Sequence, residues 1–457
     1  MTKQNQTMEY IDRLENWKGA PAVRADAARK LGMSGDKQAI DPLVKVLNEE
    51  GVPNDLRRAV TEALGRLRSA EAIDILIEKG YDESTIAEAL KEMEGVPVLS
   101  ALIRAINDER TATRERAILL LSTLREWERI EHGAVAKSLL ERVSNEPDKK
   151  LRNEMVGLLG ELGNQDAAEI IMRLPQSNET IIALGKLRNK KAVPLLLDIL
   201  DDRYIFDFET PEKGEDLVFE ELSKFERRVW EQREGITQKE RQKIEARTFA
   251  AQALGNLGDL GAVPDLVEVA KLITNEEEFG KRDALEALGI AAVQALGKIH
   301  PAEAASDLLM LLRILTPKAP PRHSWGGFGY GLSPRSMSAV ESALCEIAKA
   351  NNIQGLLVKT LKENSDPRAR RFAAKTIGCA KIGEAFDVLL AALDDEPQVA
   401  SQAVTALIEL DASRAKKPIE QALRKWNQDP QFNRETIETA NVALRKLSLW
   451  TRIFGKH

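Results

Sequence analysis

A returning Leu-Gly dipeptide, or a close relative of it, constrains this chain more than any other feature. It ends a helical apolar run at Leu31, Leu64, Leu90, Leu124, Leu159, Leu184, Leu254, Leu296, Ile347, Ile377 and Leu407. Successive anchors lie 33, 26, 34, 35, 25, 70, 42, 51, 30 and 30 residues apart. Self-similarity at roughly 20 to 50 residues marks a stacked repeat architecture. The gap of 70 reads as two units with an insertion, and those of 42 and 51 as single units with longer loops.

Each unit is legible as two helices. In AVRADAARKLGMSGDKQAIDPLVKVL, residues 22–47, the positions Ala22, Val23, Ala27, Ala28 and Leu31 follow the spacing of one helix face. Gly32 is expected to close that helix in the left-handed region, which glycine enters without strain. Asp36 then precedes a second helix with the face Ala39, Ile40, Leu43, Val46 and Leu47. Paired alanines predict close approach between helices of neighbouring units. Neither helix can hide its apolar stripe alone, so the units must stack. The expectation is an all-α fold: an α-solenoid of about eleven helix pairs, coiled into a right-handed superhelix and carrying two insertions.

Composition agrees. The 457 residues are 43% hydrophobic but only 5% aromatic, which suits closely packed helices better than pleated sheets. A net charge of −6 argues against a basic nucleic-acid coat. Two cysteines, Cys345 and Cys379, exclude a disulfide framework and point to a reducing compartment; helix periodicity places both in the core. The first seven residues contain no apolar signal core, and the apolar stretch Leu308–Leu315 is interrupted by Arg313. We therefore expect no membrane span and a cytoplasmic protein.

The Val-Arg…Ala-Ala…Leu-Gly string and the turn from Gly258-Asp259 to Leu266 resemble the HEAT-repeat families, specifically the short bacterial and archaeal subtype named from phycobilisome lyases. The resemblance covers about residues 8–430. It implies that the Arg-bearing helix of each pair lines a concave face, with Arg24, Arg57, Arg114, Arg152, Arg247 and Arg368 as a ladder. In this repeat class such arginines pair with carboxylates of the adjacent unit. The other reading is a groove that binds phosphate or carboxylate. Asp26, Glu62, Glu115 and Glu154 on the same helices favour pairing and disfavour nucleic acid.

Chemistry is sparse. Deoxyhypusine hydroxylase, an enzyme of similar fold, builds a di-iron site from His-Glu dipeptides. Here His132, His300 and His323 are followed by Gly133, Pro301 and Ser324, and His457 is terminal. The cysteines lack Cys-x-x-Cys spacing, and no Gly-x-Ser-x-Gly elbow occurs. His300-Pro301 reads as a helix end. We expect no catalytic residue, no metal and no cofactor.

Specificity is expected in the segments that break the repeat. The sequence divides into repeats at 1–202 with a cap helix (Tyr10, Ile11, Leu14, Trp17), an insertion at 203–240, repeats at 241–316, a loop at 317–335, repeats at 336–429, and a cap helix at 430–457. In the first insertion Val218, Leu222, Phe225 and Val229 form a helix seam, and residues 204–221 carry a net −6. The loop PKAPPRHSWGGFGYGLSPR sets Trp325, Phe328 and Tyr330 among four glycines. It lies in a window, Leu308–Val340, without Asp or Glu. Arg322, His323, Trp325, Phe328, Tyr330 and Arg335 are its candidate binding residues, suited to a planar group or a peptide. Asp207, Glu209, Glu212, Glu215 and Asp216 are expected to face Lys318, Arg322 and Arg335, within one chain or between two. The function these features imply is a non-catalytic scaffold for another protein, a complex subunit or a second copy of itself. The alternatives are a bilin-lyase-like protein handling a tetrapyrrole, and nucleic-acid binding through the ladder arginines.

Overall fold

Short helices alternate between two layers along the chain. The computed structural model describes residues 3–15, 20–93, 97–124, 131–204, 206, 236–274, 279–316, 334–429, 432 and 434–454, and among these every regular element is helical. The chain divides into two compact units, Met1–Leu187 and Arg188–His457. In the first, the end helix Lys3–Glu15 buries Leu14 under the array. First-layer helices follow at Pro21–Ser34, Asn54–Leu67, Glu83–Glu92, Thr111–Leu124, Lys149–Leu162 and Asn178–Leu187. The second unit has Gln238–Leu257, Phe279–Ile299, Pro334–Ala350, Pro367–Cys379 and the front of Pro397–Trp426 in the same role, and ends with Arg434–Phe454. Eleven first-layer helices are thus described. The seam of the first insertion, its acidic run, Trp17 and all of the loop before Pro334 lie outside the described residues, as do the side chains beyond Lys446.

Turn chemistry explains how the chain passes between layers. The Asp36 carboxylate accepts the Gln38 N–H at 3.0 Å, and a single 3-10 turn, Lys37–Ala39, leads into Ile40–Asn48. Asn189 and Asp259 repeat the device on Lys191 and Gly261, at 3.1 and 2.9 Å. Ala39, Ile40, Leu43, Val46 and Leu47 are buried as the spacing predicts. Each Leu so buried contributes about 1.5–3 kcal/mol, which explains how a nine-residue helix with little intrinsic stability persists.

Gly32 does not cap its helix. It lies inside Pro21–Ser34, and Gly35, at φ 68°, takes the left-handed closing position. A Cβ on Gly32 would stand 2.7 Å from the Ala63 Cα, so the glycine exists to admit the next helix. Gly65 meets Ala89 in the same way, Gly160 meets Ala183, Gly297 meets Ala343, and Gly378 meets Ala406. The partner is always the alanine two residues before the next unit's equivalent position. These contacts also correct one anchor: Ala343 makes Leu344, not Ile347, the equivalent residue. The Arg114 register likewise makes Leu121, rather than Leu124, the anchor of Thr111–Leu124; where Lys91 and Ser122 then take the glycine position, the first-layer helices meet over a smaller stretch.

Two further features were hidden in the sequence. Asp411, at φ −156° and ψ 95°, breaks Pro397–Trp426 into two helices of one pair and caps the second through Ser413 and Arg414 N–H groups. Cys345 and Cys379 form a disulfide between Pro334–Ala350 and Pro367–Cys379, their Cα atoms 6.2 Å apart. The expectation of two unpaired core cysteines is therefore corrected. Their 34-residue separation, about one repeat, places them on neighbouring helices of one layer.

Candidate interaction site

Arg24, Arg57, Arg114, Arg152 and Arg247 share a register, seven residues before the anchor (Leu121 in the case of Arg114), which is two helical turns. That offset puts the guanidinium near the first turn, beside the loop entering its helix. Arg114 is the most enclosed, its side chain 2% exposed. Its Nε and Nη2 donate to the two Glu146 carboxylate oxygens at 2.9 and 2.8 Å, and its Nη1 donates to the Asp108 and Glu109 carbonyls. Burial pushes the Glu146 carboxyl up, but Arg114, the Asp148 N–H and Arg142 together outweigh it and hold the group below its usual range.

The other rungs vary this arrangement. Arg24 donates to the Leu14 carbonyl and pairs with Glu49 at 2.6 Å. Arg152 donates to the Glu146 carbonyl at 3.1 Å. Arg247 donates to the Leu200 carbonyl at 2.7 Å; burial pulls its pKa down, opposed by Asp202 and Asp201. Arg57 is half-buried. In the Pro367–Cys379 helix the residue in register is Arg370 rather than Arg368. Arg370 grips Asp395 through two bonds of 2.7 and 2.6 Å and donates to the Asn364 carbonyl. Arg368 instead holds Asp366, lowering that carboxyl to about 2, and donates to the Thr316 carbonyl. The guanidiniums of Arg24, Arg114 and Arg370 are thus committed to carboxylates and carbonyls of the array itself.

Surface charges are consumed similarly, one repeat apart. Lys45 reaches Glu15, Arg104 reaches Asp74, Lys150 reaches Glu115, and Lys375 reaches Glu341. Exposed pairs of this kind contribute little each.

A concavity runs over three consecutive first-layer helices of the second unit, Gln238–Leu257, Phe279–Ile299 and Pro334–Ala350. It encloses about 990 Å³. Short side chains make up much of its lining (Thr248, Ala287, Ala291, Ser338, Ala339 and Ser342), together with Gln252, Ile290, Gln294, Lys298 and Glu346. Pro334 and Arg335, the end of the aromatic loop, line one edge. Arg335 is thus the one candidate loop residue placed at a described surface. Arg322, His323, Trp325, Phe328 and Tyr330 lie outside the described residues. Sequence reading missed this groove, although alternate Ala, Ser and Gln on the outer faces of adjacent repeats would have signalled it.

No group of His, Cys, Asp and Glu suited to a metal occurs among the described residues. His300, at φ 57°, closes its helix, and its carbonyl accepts from Asn351 at 2.7 Å. Among the described residues no helix is long and apolar enough to cross a membrane.

Paired helices in two layers, tied by recurring arginine and glycine contacts, define an α-solenoid. A family model for HEAT repeats matches residues 9–91, and one for the PBS lyase HEAT-like repeat matches residues 246–271. The chain carries HEAT repeats, and at residues 246–271 the repeat is of the PBS-lyase HEAT-like type. No curated protein sequence matches it. Among solved structures it is similar to the karyopherin Kap121p (TM-score 0.48, 12% identity, 99% of this chain and 50% of that one). It is also similar to importin beta (0.40, 12%, 99% and 73%) and to the CpcE–CpcF complex of phycocyanin lyase from Nostoc sp. PCC7120 (0.24, 18%, 76% and 94%). The chain spans half the length of the Kap121p chain.

Proposed function

We propose that this protein is a non-catalytic scaffold that holds a segment of a protein partner in the groove over Gln238–Leu257, Phe279–Ile299 and Pro334–Ala350. One observation supports the reading: the groove is roomy and lined largely by short side chains, whereas Arg24, Arg114 and Arg370 are already paired with carboxylates of the array. Ala, Ser and Thr let a partner backbone approach closely, and Gln252 and Gln294 offer it both donors and acceptors. The aromatic loop joins the groove at Pro334, so Trp325, Phe328 and Tyr330 are proposed to add stacking contacts beside it.

Filling the groove tests this. Ala287 and Ser342 are exposed, so Ala287→Trp and Ser342→Trp should fold with nearly unchanged melting. A partner cross-linked to the wild-type groove in native extract should be lost from both variants. Its retention by both would remove the groove from the site.

Bilin handling is the second reading, favoured by the match to the PBS lyase repeat at residues 246–271. A visible absorbance band in protein isolated with its pigment would support it over the scaffold.

A further inference from the structure

One junction in the second unit departs from the glycine–alanine rule and replaces it with a covalent bond. By register, Cys345 follows Leu344 as Gly255 follows Leu254 and Gly297 follows Leu296. The residue that should face it, two before Gly378, is Thr376 where the other glycine junctions have alanine. Pro334–Ala350 and Pro367–Cys379 accordingly meet over a smaller stretch than the helices joined at Gly255 or Gly378. Two rungs cross this wider interface. Glu341 binds Lys375 at 2.6 Å, and one turn further along both helices Cys345 is bonded to Cys379.

We propose that the Cys345–Cys379 disulfide is a redox-sensitive staple that sets the spacing of these two repeats, with a dithiol as its reductant. Cys345 is 9% exposed and Cys379 is half-buried, so Cys379 is the more accessible residue of the two. A reductant thiolate attacks the Cys379 Sγ, the S–S bond breaks, and Cys345 leaves as a thiolate that takes up a proton. The second thiol of the reductant then displaces Cys379 from the mixed disulfide. The dithiol is oxidised to a disulfide by two electrons, and two protein thiols result. Once reduced, the interface keeps the Glu341–Lys375 rung and its apolar packing but lacks the close glycine–alanine approach that secures its neighbours. Ser342 and Glu346 flank Cys345 on the same helix and line the groove, so reduction loosens one groove wall. The staple itself does not depend on what the groove binds.

The test is amide hydrogen exchange on the full chain, oxidised in air and then treated with dithiothreitol. Reduction should speed exchange in Pro334–Ala350 and Pro367–Cys379 by about tenfold or more while leaving Gln238–Leu257 unchanged. The double variant Cys345→Ser, Cys379→Ser should exchange at the reduced rate with or without reductant. A second variant, Cys345→Gly with Thr376→Ala, rebuilds the glycine–alanine contact and should be protected and indifferent to reductant. Two free thiols in the air-oxidised protein, a bond that survives dithiothreitol, or equal exchange in both states would each overturn the proposal. So would a glycine–alanine variant that exchanges as fast as reduced wild type. Partner capture plays no part in the readout, so this can fail while the groove reading stands.

Discussion

A Cβ placed on Gly255 would stand 2.7 Å from the Cα of Ala295, nearer than real Cβ atoms come to backbone. The two helices therefore approach until only a hydrogen atom separates them. Gly255→Ala sets two effects against each other. Alanine favours a helix interior by about 0.8–1 kcal/mol over glycine, whereas overpacking costs about 1–3 kcal/mol. We expect net destabilisation of up to about 2 kcal/mol in urea unfolding. Net stabilisation would show that the helices can separate cheaply.

Arg114 and Glu146 form a pair that is wholly withdrawn from water. Removing one partner strands the other, so Arg114→Ala should cost about 3–5 kcal/mol. The pH dependence has a fixed sign. The Glu146 carboxyl is held below its unfolded value, so its contribution is complete above about pH 4.3 and is lost as pH falls through the lower folded value. Wild type should lose more stability than Glu146→Gln between neutral pH and pH 3. Parallel stability curves would show that the pair does not titrate with folding.

Thr237 starts the Gln238–Leu257 helix with a capping box, its hydroxyl receiving the Glu240 N–H at 3.2 Å while Glu240 receives the Thr237 N–H at 3.0 Å. Thr237→Ala should cost about 1 kcal/mol. Because this helix forms one wall of the groove, partner affinity should fall less than stability if only its first turn frays.

Recognition by the aromatic loop, as proposed, can be tested separately from folding. Changing Trp325, Phe328 and Tyr330 together to Ala should abolish partner capture and leave thermal unfolding nearly unchanged. A loss of several kcal/mol in stability, at about 3–5 for each buried aromatic, would mean that these rings belong to the core instead.

The sequence by itself determined the repeat, the helix pairs and the residues they bury. Apolar spacing depends only on helical geometry, so Leu31, Leu43 and Leu47 were legible from local order alone. Interactions between repeats were not, because they depend on which residues the stacking brings opposite each other. Gly32 has the right neighbours for a cap, and only the position of Ala63 reveals that it is a point of close approach. Arg368 and Arg370 both suit a ladder by type, and the nearness of Asp395 singles out the latter. Cys345 and Cys379 each read as an ordinary core cysteine until neighbouring helices bring them together. The groove is the same kind of fact. Its lining comes from three helices spread over about a hundred residues, and short side chains become a site only when the stack sets them side by side.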